Sequence, residues 1–419
     1  QGSLSFVPFL YIKRWGEKMK TFGYQWRALF LMVLAWSFGG LAHNCVSFLF
    51  PYLSAEFGLS TQHNGYLTAT LALFWTTSII VCGRKADKIG QVKVMVPGLF
   101  VGALALGAMA MAQNAVMLYV LVAIVGFGCG SMCSPSLSFL AEQSDPRKRG
   151  LFFGVAMSSF SLVGSALGSL VFTRIGASEA GWRGSFLIMA ALVMLTAALI
   201  FVLGHKIPRG YREESGEKHS FKELFAYKNV ILSTALACAG MMWYFAVAAY
   251  TILYLMEAKS LSAVEAGAIF AGFGIGGFIG EFCAPIVSDY IGRKTTAIGA
   301  TIIGGLCYMA FIFVPLPAFM MTLAIACASL FVSGGMAILN SVVPSESVPP
   351  QLVATATSFS PAAGEFMGGV VAPVLVGALS NILGLTMVMY LLMILPVIEL
   401  VGAFFLKETA PLVLAKRQN

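Results

Sequence analysis

Four ionisable side chains stand inside long apolar runs of this chain: His43, Glu281, Glu365 and Glu399. A charge in mid-membrane costs about 2.5–3.5 kcal/mol on insertion scales, so each is a functional candidate by default. A carboxyl in a low dielectric holds its proton more tightly than in water and can load and release it near neutral pH. Glu365 is the first candidate for such a proton-coupling group. It lies roughly 18 Å deep at 1.5 Å per residue, beside Gly364 and after Pro361, whose missing N–H can loosen the helix. Glu281, eight residues before Asp289 and so roughly 12 Å from one end, is the second; a Glu bonded to a neighbouring helix is an equal reading. His43 can carry a proton or bind a ligand, or sit neutral and satisfied.

Rings and amides supply the remaining binding candidates: Asn44 beside His43, then Trp243, Tyr244 and Tyr250, then Asn340. Tyr254 reads as interfacial belt. No Lys or Arg lies in mid-run; Arg27 and Arg183 sit at ends. Bidentate recognition of phosphate or carboxylate uses Arg, so a sugar phosphate is disfavoured. A monocarboxylate, an aromatic acid, a zwitterion or a neutral metabolite stays open, and Glu281 with Glu365 would suit a cation. Cys129 and Cys133, four apart, read as packing residues. No HExxH, Walker loop or catalytic constellation occurs, so no catalytic residue, metal or cofactor is expected.

The elements that position these groups follow from composition. Of 419 residues, 58% are hydrophobic and 11% charged. Soluble domains carry about a quarter charged. Twelve apolar runs predict twelve membrane-spanning helices, at 28–50, 64–82, 94–112, 116–140, 151–173, 184–204, 230–256, 264–287, 296–314, 318–340, 354–379 and 384–406. The net charge of +8 does not point to nucleic acid. With the N-terminus inside, 23 of the 26 Lys and Arg fall on one side. That is the positive-inside pattern, which puts both termini in the cytoplasm and basic clusters against lipid headgroups. The chain divides into an N-terminal segment 1–27, a six-helix bundle 28–204, a cytoplasmic linker 205–229, a second bundle 230–406 and a tail 407–419. "QGS" at the start reads as a protease-cleavage remnant, and Met19 as a natural start.

The two bundles repeat. "GRKADKIGQVK" (83–93) and "SDYIGRK" (288–294) are charged turns at an offset near 200, with Asp87 over Asp289 and Gly90 over Gly292. "AEQSDPRKRG" (141–150) matches "SESVPPQLVA" (345–354), with Glu142 over Glu346 and Pro146 over Pro350. On these turns the chain resembles the major facilitator superfamily, whose loop between spans 2 and 3 reads G-x-L-A-D-R-x-G-R-K. Gly83, Ala86, Asp87 and Gly90 match it; Lys85 stands for the usual Leu and Gln91 for a usual cation.

The resemblance implies an all-α, twelve-span transporter of two pseudo-symmetric bundles, in the cell membrane (a bacterial inner membrane), and a monomer by family default. It implies a conformational latch at Gly83, Asp87, Gly90, Glu142 and Arg149, and at Asp289, Gly292, Arg293 and Glu346. It also implies that span 1 lines the cavity and that Glu399, on span 12, is structural. The expected function is proton-coupled uptake of a small organic solute, such as an organic acid, by alternating access, with the proton gradient in place of a cofactor and the solute, protons and the bilayer as partners. A proton-antiport exporter of drugs or amphipathic cations is the alternative; the absence of a Gly-Pro motif on span 5 weighs against it. A membrane enzyme or receptor lacks supporting residues. Finally, Gly272, Gly276 and Gly280, Gly164 and Gly168, and Gly364 and Gly368 are GxxxG stripes, either static packing or a rocking surface between the halves.

Overall fold

The computed structural model describes residues 7–144, 149–205, 207 and 221–418. Most of the linker, Pro146 and the first six residues lie outside them, as does the side chain of Arg149. Among the described residues the regular structure is helical, and twelve helices are long and apolar enough to cross a membrane. They are Gly23–Phe57, Thr61–Ile89, Gln91–Met109, Ala115–Gln143, Gly150–Gly176 and Gly181–Gly204, then Lys228–Lys259, Ala263–Ile291, Arg293–Phe313, Ala318–Glu346, Thr355–Leu383 and Leu385–Ala403. Spans 1–12 below carry these bounds. Several outrun the apolar runs by one or two turns, because their polar ends continue the helix past the greasy stretch.

Neighbour relations repeat between the halves. Spans 2 and 3 lie on span 4, span 3 on span 6 and span 1 on span 5; spans 8 and 9 lie on span 10, span 9 on span 12 and span 7 on span 11. The halves meet along two matching seams, span 2 against span 11 and span 8 against span 5. The turns agree in backbone too. Gly90 has φ 106° and ψ 148°, Gly292 φ 103° and ψ 147°; only glycine enters this region without a Cβ penalty. π-helical turns interrupt span 5 at Phe160–Leu167 and span 11 at Phe366–Val371, equivalent helices of the two seams. Two more lie at the end of span 6, Ile200–Gly204, and in span 10, Ile338–Val342. Such turns are frequent at functional sites.

The glycine stripes belong to the interiors of the halves. A Cβ on Gly272, Gly276 or Gly280 would strike the carbonyl oxygens of Thr322, Ala326 and Leu330 on span 10. Gly164 meets Gly40 of span 1, and Gly368 meets Met241 of span 7. Each stripe therefore holds one half rigid, and the rocking-surface reading is set aside. The seams use other glycines: Gly274 against Ala166, Gly369 against Ala72, and Gly377 against Gln62. Gly280→Ala is expected to destabilise the protein by about 1–3 kcal/mol, since backbone cannot retreat from the new methyl. Thermal unfolding in detergent measures this, with Gly299→Ala, whose Cβ would meet nothing within 4 Å, as the neutral reference.

Candidate functional site

Where the seams approach mid-bundle, polar groups from both halves converge. His43 of span 1 is 5% exposed. Its Nε2 faces Glu365 Oε1 of span 11 at 3.9 Å, too long for a hydrogen bond, and has no hydrogen-bond partner among the described residues. The imidazole is held edge-on to Trp75 of span 2 (5.0 Å between centroids) and Phe160 of span 5 (5.6 Å), and tilted on Phe245 of span 7 (5.6 Å). Glu365 is the last α-helical residue before the span 11 π-turn. Its side chain keeps 19% exposure, against 3% for that of His43.

A second contact crosses the other seam. The Ser161 hydroxyl, on the span 5 π-turn, donates to Glu281 Oε1 of span 8 at 3.0 Å. Tyr244 of span 7 is 6% exposed, its hydroxyl close to Ser161 and Ser165. Asn44 donates to the Gly40 carbonyl (3.0 Å) and more weakly to Ser165 Oγ (3.4 Å). Asn340 stands on the span 10 π-turn with its Oδ1 buried, close to Gly364, the neighbour of Glu365, and without a hydrogen-bond partner among the described residues. The structure thus brings together His43, Asn44, Tyr244, Glu281, Asn340 and Glu365.

Two sequence candidates are not brought there. Tyr250 is fully buried and spends its hydroxyl on the Pro373 carbonyl at 2.8 Å. Trp243 turns into its own half, edge-on to Tyr308 at 4.9 Å. Glu399 is 3% exposed, beside Gly240, Gly335 and Thr301 in the interior of the second half. Ser161, Ser165, Trp75, Phe160 and Phe245 were not singled out from sequence. Serines and rings in apolar runs carry no local signal; only the seam gives them meaning.

At the end away from the charged turns the halves are stitched together. Asn381 of span 11 donates to Gln62 of span 2 (2.6 Å), and Asn64 of span 2 to the Ala249 carbonyl of span 7 (2.9 Å). At the opposite, basic end, each half has its own turn cluster. Arg293 is 5% exposed and all five of its donors are used. Nε and Nη2 reach Glu346 (3.2 and 2.9 Å), Nη2 also reaches Asp289 (2.5 Å), and Nη1 reaches Ser288 Oγ (2.5 Å) and the Pro285 carbonyl (3.0 Å). Glu408 receives the backbone N–H of Arg293 (2.7 Å) and Lys294 (3.3 Å) at the head of span 9, where a helix favours an anion. The first half places Gln91 at the equivalent position, 7% exposed and bonded to Glu142 at 2.5 Å. Asp87 lies exposed at its turn, and Gly83 approaches Ser134 of span 4. The match of "FVLGHKIP" (201–208) with "FFLKETAP" (404–411) could have flagged Glu408, which falls over His205.

The profile of the Major Facilitator Superfamily matches residues 26–364. The chain belongs to the major facilitator superfamily. It is a multi-pass membrane transporter, as are its relatives, rather than an enzyme. The gallate transporter of Pseudomonas putida is 24% identical over 91% of each chain. A niacin transporter of Acinetobacter baylyi is 23% identical over 86% of this chain and 88% of that one. Among solved structures, a bacterial homologue of the human lysosomal transporter Spinster, inward-facing and occupied, superposes with a TM-score of 0.78 at 17% identity, covering 91% of this chain and 96% of that chain. The superfamily fold therefore holds over nearly the whole chain.

Proposed function

We propose that the chain is a proton-coupled importer of small aromatic monocarboxylates, working by alternating access. One juxtaposition carries the reading: an imidazole of one half and a carboxyl of the other face each other at 3.9 Å inside a cup of aromatic rings, with no Lys or Arg in mid-span. A substrate carboxylate competes with ionised Glu365 for the N–H of His43. Protonation of Glu365 removes the competitor and a buried charge together, which lowers the cost of closing the halves on the bound anion. Trp75, Phe160 and Phe245 favour a flat ring. Asn340, with a free buried acceptor, suits a ring hydroxyl. That gallate and niacin, the cargoes named for two relatives, are aromatic acids supports this class.

In the form described, the end away from the basic turns is closed by the Gln62–Asn381 and Asn64–Ala249 bonds. Each such bond is worth about 0.5–1.5 kcal/mol net, so the opposite form lies within a few kcal/mol and substrate or proton can shift the balance. The Lys and Arg asymmetry puts the basic end and both termini in the cytoplasm.

The test is uptake into proteoliposomes with the outer medium acidified. Gallate and nicotinate are expected to accumulate. Nicotinamide, which lacks the carboxylate, is expected to enter at least tenfold more slowly, because it leaves His43 unpaired. Proton-driven expulsion of tetraphenylphosphonium, with no uptake of either acid, would overturn the reading in favour of a cation exporter.

A further inference from the structure

We propose that Asn64, Thr68 and Thr76 of span 2 form a proton route between the closed end and Glu365, shut in the form described and hydrated when that end opens. The inference rests on the importer reading above and supplies the residues that bring its proton in. Three buried polar atoms carry it. Asn64 Oδ1, Thr68 Oγ1 and Thr76 Oγ1 have no hydrogen-bond partner among the described residues. Their spacings of four and eight residues set them on one side of the helix.

Other threonines of the same helix behave differently. Thr70 and Thr77, on the opposite side, donate to the carbonyls four residues back, Tyr66 at 2.7 Å and Leu73 at 2.8 Å. That back-bond is open to any helical threonine, yet Thr68 and Thr76 do not make it. A buried hydroxyl without a partner costs free energy, so these two are turned toward something the closed seam does not provide.

What faces them explains why. Span 11 runs antiparallel to span 2, with Gly377 against Gln62, Pro373 against Gly65 and Gly369 against Ala72. Glycine and proline bring no side-chain donor or acceptor. The contact is tightest between Thr68 and Thr76, where a Cβ on Gly369 would lie 2.9 Å from that of Ala72. One turn beyond Ala72, this register brings Thr76 level with Glu365, whose Oε1 lies 3.9 Å from the same Cβ position. The other facing helices bring two titratable groups. His43 of span 1 makes the 3.9 Å contact with Glu365, and Tyr250 of span 7 spends its hydroxyl on Pro373. Asn64 itself donates to the Ala249 carbonyl in one of the bonds that close this end. The stripe therefore starts at the closure and stops at the carboxyl. When the seam parts, water bridges the three side chains. Each hydroxyl donates one hydrogen bond while accepting another, so a proton entering at Asn64 passes along the file. A hydronium at the mouth becomes water, and the Glu365 carboxylate becomes the neutral acid.

The first arm of the test uses proteoliposomes with the outer medium acidified and gallate or nicotinate as the probe. Thr68→Val and Thr76→Val keep the shape of the side chain and remove its hydroxyl. Each should slow gradient-driven uptake roughly tenfold and spare counterflow exchange, and Thr68→Ser and Thr76→Ser should keep the wild-type rate. Unchanged uptake in either valine variant, equal falls in uptake and counterflow, or serine variants as slow as the valine ones would overturn the route. The second arm needs no substrate. A small, charged, membrane-impermeant methanethiosulfonate is applied from each side of the membrane to Thr68→Cys, and modification at that residue is read by mass spectrometry. It is expected from the closed-end side alone, and faster once Asn381→Ala removes the bond to Gln62. Ser78→Cys, at a position that bonds the Phe127 carbonyl inside the first half, should stay unmodified. No modification of residue 68, modification from the basic end alone, or equal modification of residue 78 refutes a hydrated stripe. If neither acid is taken up, the importer reading fails, and the labelling arm still decides whether water reaches Thr68.

Discussion

Glu365→Gln is expected to lower accumulation of the substrate about tenfold for every unit of pH gradient imposed, because one coupled proton contributes one decade per unit. Exchange of labelled for unlabelled substrate without a gradient should persist, since His43 remains to hold the carboxylate. The amide matches the carboxyl in shape and leaves the π-turn that follows it undisturbed, so the variant should fold. Parallel measurements of gradient-driven uptake and of counterflow check the expectation. Undiminished accumulation would remove Glu365 from the coupling role and leave the His43 contact as packing. Loss of both activities would instead mean that the carboxyl shapes the binding site itself.

Arg293→Ala is the second large effect, and it acts on stability. The side chain is buried and its guanidinium joins Asp289, Glu346, Ser288 and the Pro285 carbonyl. Removing one partner of a buried ion pair costs about 3–5 kcal/mol, because the remaining charge stays desolvated. Asp289 is half exposed and can turn to water, while Glu346, at 21% side-chain exposure, loses more. Thr409 still donates to Glu346 at 2.7 Å and limits the damage. At the equivalent place, Gln91→Ala breaks one hydrogen bond to a carboxylate, worth about 1.5–3 kcal/mol. Thermal unfolding of the two purified variants should therefore show the larger fall for Arg293→Ala. Equal midpoints would mean that the charged cluster adds nothing over the amide.

The parts of the fold legible in the sequence are those set by local rules. Lipid demands about twenty apolar residues per helix, so the runs announce the spans. A turn that needs positive φ demands glycine, so Gly90 and Gly292 announce the duplication. The acids were legible as well, because an ionisable residue in an apolar run stands out on cost alone. Partners were not. GxxxG spacing says that Gly276 and Gly280 approach another backbone, but not that the backbone is span 10 of the same half. His43 and Glu365 lie more than 300 residues apart, and no periodicity links them. Tyr250 and Trp243 looked like binding groups because rings with polar tips are equally at home in a core, and the Pro373 carbonyl that takes the Tyr250 hydroxyl is invisible before folding. Gln91 was legible only as a departure from the family pattern; its bond to Glu142 explains how the departure is accommodated.

The turns around Gly90 and Gly292 share one backbone shape, yet one is stitched by an amide and the other by a guanidinium. The repeat keeps the joint and changes its fittings. The two turns behave as interchangeable cassettes, and a chimaera that trades them between halves would separate what geometry contributes to the working cycle from what charge contributes.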